Sequence, residues 1–385
     1  MVKKLLQRIP LDRVNWITSG FLMGTLAIAL TVVPWYIWTY GLDWFQIGLF
    51  FCFYAATGLS ITLGYHRLFS HLSFKAKLPV RLFVLIFGAA AFENAAVEWA
   101  SDHRKHHKHV DEDDDPYSIS KGFWFAHIGW LLFKLNPEPP MDNVADLEKD
   151  RWVMWQYRWI HVLSISVGFF LPALIGWCYG GWVSALGSFL IAGVARIVTV
   201  QQSTFCINSL CHTIGSRPYS SKCSARDSWI AALVTFGEGY HNYHHEFQHD
   251  YRNGVKPWQF DPTKWVIWLL SKVGLVSNLR RVPDVKILLA EIVEARRQID
   301  SGLQILPTEF TECTATLVKD CQEKLEQMAL KFNEIKGELQ LMAIDKIDVS
   351  REAVDQWRRE VREGLEVVKL LISNASRIKR SEVRR

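Results

Sequence analysis

Long apolar runs alternate with polar segments through the first half of the chain. Residues 16–40 are apolar apart from Thr, Ser and Gly, and a short break at 41–44 precedes a second run at 45–64. A third run covers 160–179 and a fourth 182–207, joined only by Gly180 and Gly181. A bilayer core of about 30 Å is crossed by about 20 helical residues. The pattern therefore predicts four transmembrane helices and an all-α integral membrane protein.

Lysine and arginine predict the orientation of these spans. They are frequent in residues 1–15, before the first run, and in the segments 66–158 and 213–300. Basic flanks remain on the cytoplasmic side of a membrane. We therefore expect both termini and both long polar segments in the cytoplasm. Residues 1–15 are interpreted as a basic cytoplasmic flank, because no small-residue cleavage site follows them.

The segment from Leu78 to Val97 is also apolar, but Arg81, Glu93 and Asn94 interrupt it. A fifth span would place the later polar segments on the opposite side of the membrane. We therefore expect this segment in or under the membrane interface. A run of acidic residues at 111–115, closed by Pro116, is expected to form a solvated turn, with docking of an electron donor as the alternative.

The C-terminal part, residues 303–385, is charged and has a helical pattern, so we divide the chain into 1–15, 16–302 and 303–385. Two apolar stripes at coiled-coil spacing predict a helical hairpin or a dimer. Their positions are Leu317, Cys321, Leu325, Met328, Phe332, Ile335, Leu339 and Met342, then Val354, Trp357, Val361, Leu365, Val368 and Ile372. Three roles stay open: a dock for a partner, a homo-oligomerisation element, or a stabilising bundle.

Composition agrees with a membrane protein. The 385 residues are 49% hydrophobic and include 17 Trp and 22 Phe, and aromatic residues favour membrane interfaces. The formal charge of +5 is too small and dispersed to indicate a nucleic-acid partner, but it suits an anionic membrane surface. Seven cysteines without a C-x-x-C pair are expected to be reduced thiols.

Histidine is the residue type that points to chemistry. The sequence contains H-x4-H at His66 and His71, H-x-x-H-H twice, and a lone His212 four residues after Asn208. Neutral imidazole is the commonest metal ligand. Within each H-x-x-H-H, neighbouring histidines diverge by about 100° on a helix, so they suit two different ions. The two H-x-x-H-H groups are His103, His106 and His107, and His241, His244 and His245.

Nine imidazoles exceed the coordination capacity of one ion and suit two. An almost all-nitrogen shell is compatible with Fe, Zn, Cu or Ni. Any single cluster could instead be a histidine-rich polar surface. His66 and His71 are five residues apart, about 140° around an ideal helix, so we expect the helix to end or unwind there. His109, His127, His161 and His249 are left outside the metal site.

These motifs, in order and at these separations, resemble the membrane-bound histidine-box fatty acid desaturases, specifically the acyl-CoA Δ9 (stearoyl-CoA) type. The resemblance covers about residues 15–300. It rests on the segments HRLFSH (66–71), EWASDHRKHH (98–107), KGFWFAH (121–127), NSLCH (208–212), RPY (217–219) and GEGYHNYHH (237–245). It implies a cytoplasmic helical domain with a di-iron site that removes two hydrogens from a saturated acyl chain using O2.

The resemblance also implies the residue roles. One iron would be held by His66, His71, His103, His107 and His244, and the other by His106, His212, His241 and His245, with Asn208 contributing through a water. Phe205 and Tyr54 fall where the family has a tunnel-wall residue and a residue closing the methyl end; both could equally be ordinary core aromatics. Asp102 and Lys121 are candidate contacts of the CoA head group.

One departure concerns the substrate's carrier. Animal members of the family have Arg where this chain has Ser101. Acyl-CoA is therefore the expected substrate, and an acyl-lipid or acyl-carrier-protein substrate stays open. Beyond His249 the sequence has no histidine for haem and only two cysteines, so we expect electrons to come from a separate donor, cytochrome b5-like or ferredoxin-like with its reductase.

Two other function classes are considered. A histidine-box membrane hydroxylase would use the same metals, but alkane hydroxylases have Glu in the first motif, where this chain has Arg67 and Ser70. A metal transporter or metal-storage protein would place polar ligands along its spans. Here the spans contain almost none. The sequence thus favours the desaturase.

Overall fold

The computed structural model describes residues 11–134 and 141–305, with scattered positions between 319 and 370. The chain divides into two compact units. The first comprises residues 1–216 and 223–281, and the second comprises 217–222 and 282–385. The first unit is mainly helical and contains all the histidine motifs. Its single two-stranded sheet pairs β1 (Lys75–Ala76) antiparallel with β2 (Val276–Ser277) among the described residues.

Within the described residues, three helical stretches are long and apolar enough to cross a membrane: Trp16–Tyr40, Trp44–Ser70 and Arg151–His212. The first is helix α1, with the same bounds that the sequence predicts. The second begins with α2 (Trp44–Leu59), whose N-terminus carries a capping box between Asp43 and Gln46. These two side chains satisfy backbone N–H groups that a helix start leaves unpaired.

The third stretch is 62 residues long, but its backbone is broken where the sequence predicts a loop. Gly180 and Gly181 are not helical, and Gly181 has a φ of +66° that favours glycine. In a straight helix Gly176 and Ser188 would lie about 18 Å apart. Instead, a side chain on Gly176 would collide with that of Ser188. The chain therefore reverses at the two glycines.

The stretch containing the first histidine motif is a π-helix, Ser60–Ser70. The His71 N–H donates to the His66 carbonyl oxygen at 3.1 Å, an i→i+5 bond. This wider turn brings two side chains five residues apart onto one side, with ring centroids 4.8 Å apart. The expected unwinding of the helix at this motif is thus observed, and π-turns are frequent at functional sites.

The segment predicted to lie at the interface contains only a 12-residue helix, α3 (Leu78–Ala89). Helix α4 (Ala96–His109) follows and carries the second histidine motif. The remaining helices of the first unit are α5 (Trp130–Leu132), α6 (Ala145–Glu148), α7 (Arg151–Ile165), α8 (Leu171–Ser188), α9 (Arg196–Ser209), α10 (Trp229–Val234), α11 (His241–Glu246) and α12 (Pro262–Lys272). Further π-helices span Phe125–Gly129, Ser166–Phe170 and Phe189–Ala195, and 3-10 turns span Leu11–Arg13, Ile119–Lys121, Asp142–Val144 and Leu210–His212.

The second unit contains α13 (Asp284–Ile305). Its buried face consists of Ile287, Leu288, Ile292 and Ala295, an amphipathic pattern. Within this unit the Ser221 N–H donates to Glu294 at 3.0 Å, and Arg358 pairs with Glu291 at 3.3 Å. The predicted coiled-coil stripes lie outside the described residues, except for Trp357.

Candidate metal centre and cavity

Five histidines from three segments converge in the first unit. His66 Nε2 lies 3.0 Å from His244 Nε2, which lies 3.0 Å from His107 Nε2. His71 Nε2 lies 2.8 Å from His103 Nε2. One potential ligand atom of each of the five lies within 4.8 Å of the others. We call His66, His71, His103, His107 and His244 the five-histidine group.

Four further histidines form a second group with the same proximity. His241 Nε2 lies 3.1 Å from His212 Nε2 and 3.0 Å from His245 Nε2. His106 completes this four-histidine group, which consists of His106, His212, His241 and His245. The two groups contain the same members as the two ligand sets that the resemblance implies.

Helical geometry explains how neighbours in sequence join different groups. His106 and His107 are consecutive on α4, and His244 and His245 are consecutive on α11. Because consecutive side chains diverge by about 100°, one of each pair faces each group. The His107 and His245 rings stack at 4.3 Å between centroids. The two groups are therefore adjacent.

Acceptors around the groups orient several of the imidazoles. His66 Nδ1 lies 2.9 Å from Glu238, and His106 Nδ1 lies 2.9 Å from Asp115. His212 Nδ1 lies 2.7 Å from the Ser224 hydroxyl, which itself donates to Asp111 at 2.5 Å. In His106 and His212, a proton held at Nδ1 by these hydrogen bonds leaves the Nε2 lone pair directed into the group, the usual arrangement of a metal-ligating histidine.

The prediction that residues 111–115 form a solvated acidic turn is wrong for Asp115. Its side chain is 1% exposed and accepts hydrogen bonds from the Tyr117 and Asp111 N–H groups as well as contacting His106. The sequence reasoning missed Asp115 and Glu238 as partners of histidine. Glu238 lies three residues before His241 in the same motif, and that proximity was the available signal.

A buried ionic network holds Glu238 in place. Arg67 donates to Glu238 at 2.8 Å and to Asp261 at 3.0 Å, and all three side chains are almost fully buried. Although burial opposes its ionisation, Arg67 and His66 hold the pKa of Glu238 at about 2. A buried charge requires such pairing. Glu238 is therefore a carboxylate beside the His66 ring.

The donor set fits metal ions. Where both Nε2 atoms of a pair carry a lone pair, as metal ligation requires, their separation of 2.8–3.1 Å suits a cation bound to both. Two nitrogens bound at right angles to one ion, each at about 2.1 Å, lie about 3.0 Å apart. Burial lowers the pKa of His103, His107, His244 and His245 well below the usual value, which favours the neutral, ligating form. The histidine cluster is thus able to bind metal.

A cavity lies against both histidine groups; it encloses about 970 Å³ of empty space, including the open solvent at its mouth. Its walls include His66 and His103 from one group and His106 and His241 from the other. Apolar and aromatic side chains dominate the rest: Phe21, Leu22, Ile61, Phe92, Trp99, Trp130, Leu131, Phe205 and Ile207. An elongated apolar ligand could therefore lie beside the metal-binding nitrogens.

Three of the remaining predicted site residues line the cavity, and two lie outside it. Phe205, Asp102 and Asn208 line the cavity. Burial, together with the charge of Glu98, raises the pKa of Asp102 to about 7. Lys121 is exposed outside the cavity and donates to the Asp113 and Asp115 carbonyl oxygens at 2.7 and 3.4 Å.

Tyr54 also lies outside the main cavity, beside a smaller one. The two cavities share Thr62, Thr204 and Ile207 in their walls. The Tyr54 hydroxyl lies 3.2 Å from Ser203, and its ring centroid lies 5.1 Å from that of Phe236. Both partners line the smaller cavity. Tyr54 therefore lies behind the wall of the smaller cavity.

The histidines set aside by the sequence reasoning lie outside both groups. His127 bonds to Ser209 and Gln202 at 2.9 and 3.1 Å, and its ring packs on Phe205. His249 donates to the His71 carbonyl oxygen at 2.9 Å. His109 contacts Glu112, and His161 is exposed on α7.

Known proteins are similar to this chain in sequence. The fatty acid desaturase family model matches residues 42–268, more than half of the chain. A probable acyl-CoA desaturase of Schizosaccharomyces pombe is 42% identical over 74% of this chain and 59% of its own length. Acyl-CoA desaturase 1 of Saccharomyces cerevisiae is 40% identical over 75% of this chain and 56% of its own length.

The human stearoyl-CoA desaturase is 36% identical over 72% of this chain and 78% of its own length. For each of the two yeast relatives, the match with this chain covers less than two thirds of the relative's length. All the histidine motifs fall within the region that the family model covers. This chain belongs to the fatty acid desaturase family.

Proposed function

We propose that the protein desaturates a saturated long-chain fatty acyl-CoA at the Δ9 position. One observation carries this proposal: two adjacent groups of buried imidazole nitrogens form part of the wall of an apolar cavity. The names of the relatives, acyl-CoA and stearoyl-CoA desaturases, support the substrate class.

The metal ions are proposed to be two irons. The five-histidine group would hold one and the four-histidine group the other, with Asn208, on the same cavity wall, contributing through a water. An unactivated methylene has no acidic proton, so acid–base groups alone cannot break its C–H bonds; bound iron would supply the oxidising power through O2. Overall, –CH2–CH2– plus O2, two electrons and two protons gives –CH=CH– and two molecules of water.

The chain's own residues position the substrate. The apolar wall excludes water and restricts the acyl chain to a path past His66, His103, His106 and His241. Trp99 stacks on His103 at 4.8 Å between centroids and also lines the cavity. It therefore contacts both the acyl chain and a proposed ligand.

The methyl end of the chain is proposed to point toward the smaller cavity. Gly58 lines that cavity, and a side chain there would collide with Phe236. Tyr54 lies one helical turn earlier and supports Ser203 and Phe236. Chain length would therefore depend on Gly58, Phe236 and Tyr54. Asp102, and Lys121 on the exposed side, remain proposed contacts of the head group.

The three apolar helical stretches and the family indicate a membrane protein. We further propose four spans, with the 62-residue stretch crossing twice because it reverses at Gly180 and Gly181. Four spans place both termini and the histidine groups in the cytoplasm, where the lysine and arginine distribution puts them. Residues 303–385 are proposed to be a helical extension of the desaturase part.

Electrons are proposed to come from a separate donor, cytochrome b5-like or ferredoxin-like with its reductase. The extension could dock this donor or another copy of the chain. O2, membrane lipid and acyl-CoA complete the proposed partners.

The test is expression in a strain that lacks unsaturated fatty acids, followed by mass spectrometry of its lipids. We expect monounsaturated chains with the double bond at Δ9. A hydroxylase would instead give an alcohol that retains the saturated chain and gains oxygen. Purified protein assayed with stearoyl-CoA and with phospholipid-bound stearate separates the acyl-CoA substrate from the acyl-lipid alternative.

A further inference from the structure

The segment that joins α3 to α4, residues 90–95, forms one wall of the cavity; we call it the wall segment. Phe92, Glu93 and Asn94 all line the cavity. Phe92 and Asn94 have φ values of +59° and +66°. Non-glycine residues seldom adopt this left-handed region, and bulky ones such as Phe least of all. Such a conformation persists only where the surroundings impose it.

Side chains from the long helical stretch impose it through backbone carbonyl oxygens. The Gln201 amide donates to the Phe92 carbonyl oxygen at 3.1 Å. The Arg196 guanidinium donates to the Ala90 carbonyl oxygen at 2.6 Å. Thr204, further along the same helix, donates to the Glu93 carboxyl at 2.8 Å. Three side chains of one helix thus hold Ala90, Phe92 and Glu93 of the wall segment.

The hydrogen-bond partners of the Arg196 guanidinium are unusual for a buried cation. Its side chain is fully buried within a membrane-spanning stretch, where a cation is costly. In the part of the chain that the structure describes, it donates to carbonyl oxygens alone, those of Ala90, Gly168 and Ala192. Gly168 lies in a π-helix. Arg196 therefore ties three elements together at the start of the wall segment.

The opposite side of the wall segment is packed against aromatic rings. The Phe92 ring stacks on Phe21 at 4.8 Å and contacts Phe169 at 5.1 Å. A side chain at Gly168 would meet the Phe92 ring at 2.6 Å. The Phe92 ring is thus confined on both sides, and a shift of its backbone would change the position of this ring in the cavity wall.

The position of this wall matters because the histidine groups lie within the same cavity. An acyl chain has identical methylenes, so no functional group marks carbons 9 and 10. Only the length and shape of the path can decide which methylenes face the metal-binding nitrogens. A small displacement of Phe92 or Glu93 would therefore shift the reacting carbons along the chain.

We propose that Arg196 and Gln201 are positioning residues that hold the wall segment in its strained conformation and thereby decide which carbons of the acyl chain are desaturated. The proposal rests on the proposed function. Neither residue supplies a metal ligand or a proton. Arg196 acts through the Ala90 carbonyl oxygen, at the start of the wall segment, and Gln201, which also lines the cavity itself, acts through the Phe92 carbonyl oxygen.

The test compares Gln201→Leu with wild type and with Thr199→Val as a control. Leu has similar bulk but cannot donate to Phe92. Thr199 lies on the same helix and donates to the Ala195 carbonyl oxygen of that helix. Membranes containing each protein are supplied with stearoyl-CoA, O2 and reductant. The position of the double bond in each product is then measured by mass spectrometry after derivatisation of the alkene.

Wild type and Thr199→Val should give one dominant position. Gln201→Leu should raise the share of double bonds displaced by one or two carbons at least tenfold. A lower yield at an unchanged position would overturn the proposal, because a purely structural role lowers the amount of product without moving the bond. If wild type forms no unsaturated product with any acyl substrate, the proposed function has failed instead.

Arg196→Lys provides a second measurement, because it keeps the charge but loses the two-armed contact with Ala90 and Gly168. Displaced double bonds are again expected, and an unchanged position in folded protein would contradict the proposal. If this variant does not accumulate in membranes, Gln201→Leu alone decides, since that substitution leaves no charge unpaired.

Discussion

The histidine groups and the wall segment are held in place by different kinds of interaction. The imidazoles of His66, His106 and His212 are oriented by specific polar partners, including two buried carboxylates. The wall segment is held through its backbone and by packed aromatic rings. Disturbing the first region should change whether metal binds, whereas disturbing the second should change which substrate atoms react. The following variants test that separation.

The largest effect is expected from the histidine groups. His244→Ala removes a proposed ligand whose Nε2 lies 3.0 Å from both His66 and His107. Desaturated product should fall by at least about 100-fold, with loss of iron measured by elemental analysis of the purified protein. His161→Ala, on the exposed surface of α7, is the control. Iron and activity retained in His244→Ala would contradict the assignment.

A large but smaller effect is expected at the carboxylate beside His66. Glu238→Gln keeps the shape but removes the charge that orients the imidazole and pairs with Arg67. Metal affinity should fall about 10–100-fold, measured by competition with a chelator. Glu112→Gln, an exposed carboxylate that contacts His109, is the control. Equal affinity in the two variants would show that Glu238 serves only the buried ionic network.

A moderate, pH-dependent effect is expected at the cavity wall. Burial raises the pKa of Glu93 to about 8, so the folded protein retains a proton that the unfolded chain loses above its ordinary pKa of about 4.5. Stability therefore falls as pH rises from about 4.5 to about 8. Glu93→Gln removes this loss, so its Tm should exceed that of wild type by a few degrees at pH 8, and by less at pH 5. A Tm difference that does not change with pH would contradict a raised pKa.

The smallest effect is expected behind the smaller cavity. Tyr54→Ala removes the ring that supports Phe236 and the hydroxyl beside Ser203. Products from longer acyl chains should increase a few-fold relative to stearoyl-CoA, measured by competition between saturated substrates of different length. Tyr157→Ala, half-exposed on α7, is the matched control. An unchanged length profile would place the methyl end elsewhere.

Much of the architecture could be predicted because apolar length and helical period are local properties. The bounds of α1 and the break at Gly180 and Gly181 follow from composition and glycine alone. The separation of His106 from His107 follows from 3.6 residues per turn. The unwinding near His71 follows from the same geometry.

Contacts between distant segments could not be predicted in this way. Asp115 was interpreted as part of a solvated turn, because nothing local reveals that it is buried against His106. Glu238 gave no sign of its pairing with Arg67, which lies 171 residues away. Lys121 donates to the backbone of the acidic loop, and its contact with the CoA head group stays a prediction.

The sequence by itself determined the family, the helical class and the residues able to bind metal, because these depend on residue type and spacing along single helices. Only the tertiary structure decided which carboxylates lie against these histidines and which side chains line the cavity. Those features arise where segments far apart in the chain pack together. The strained conformation of residues 90–95 is the clearest case, because side chains about 100 residues away impose it.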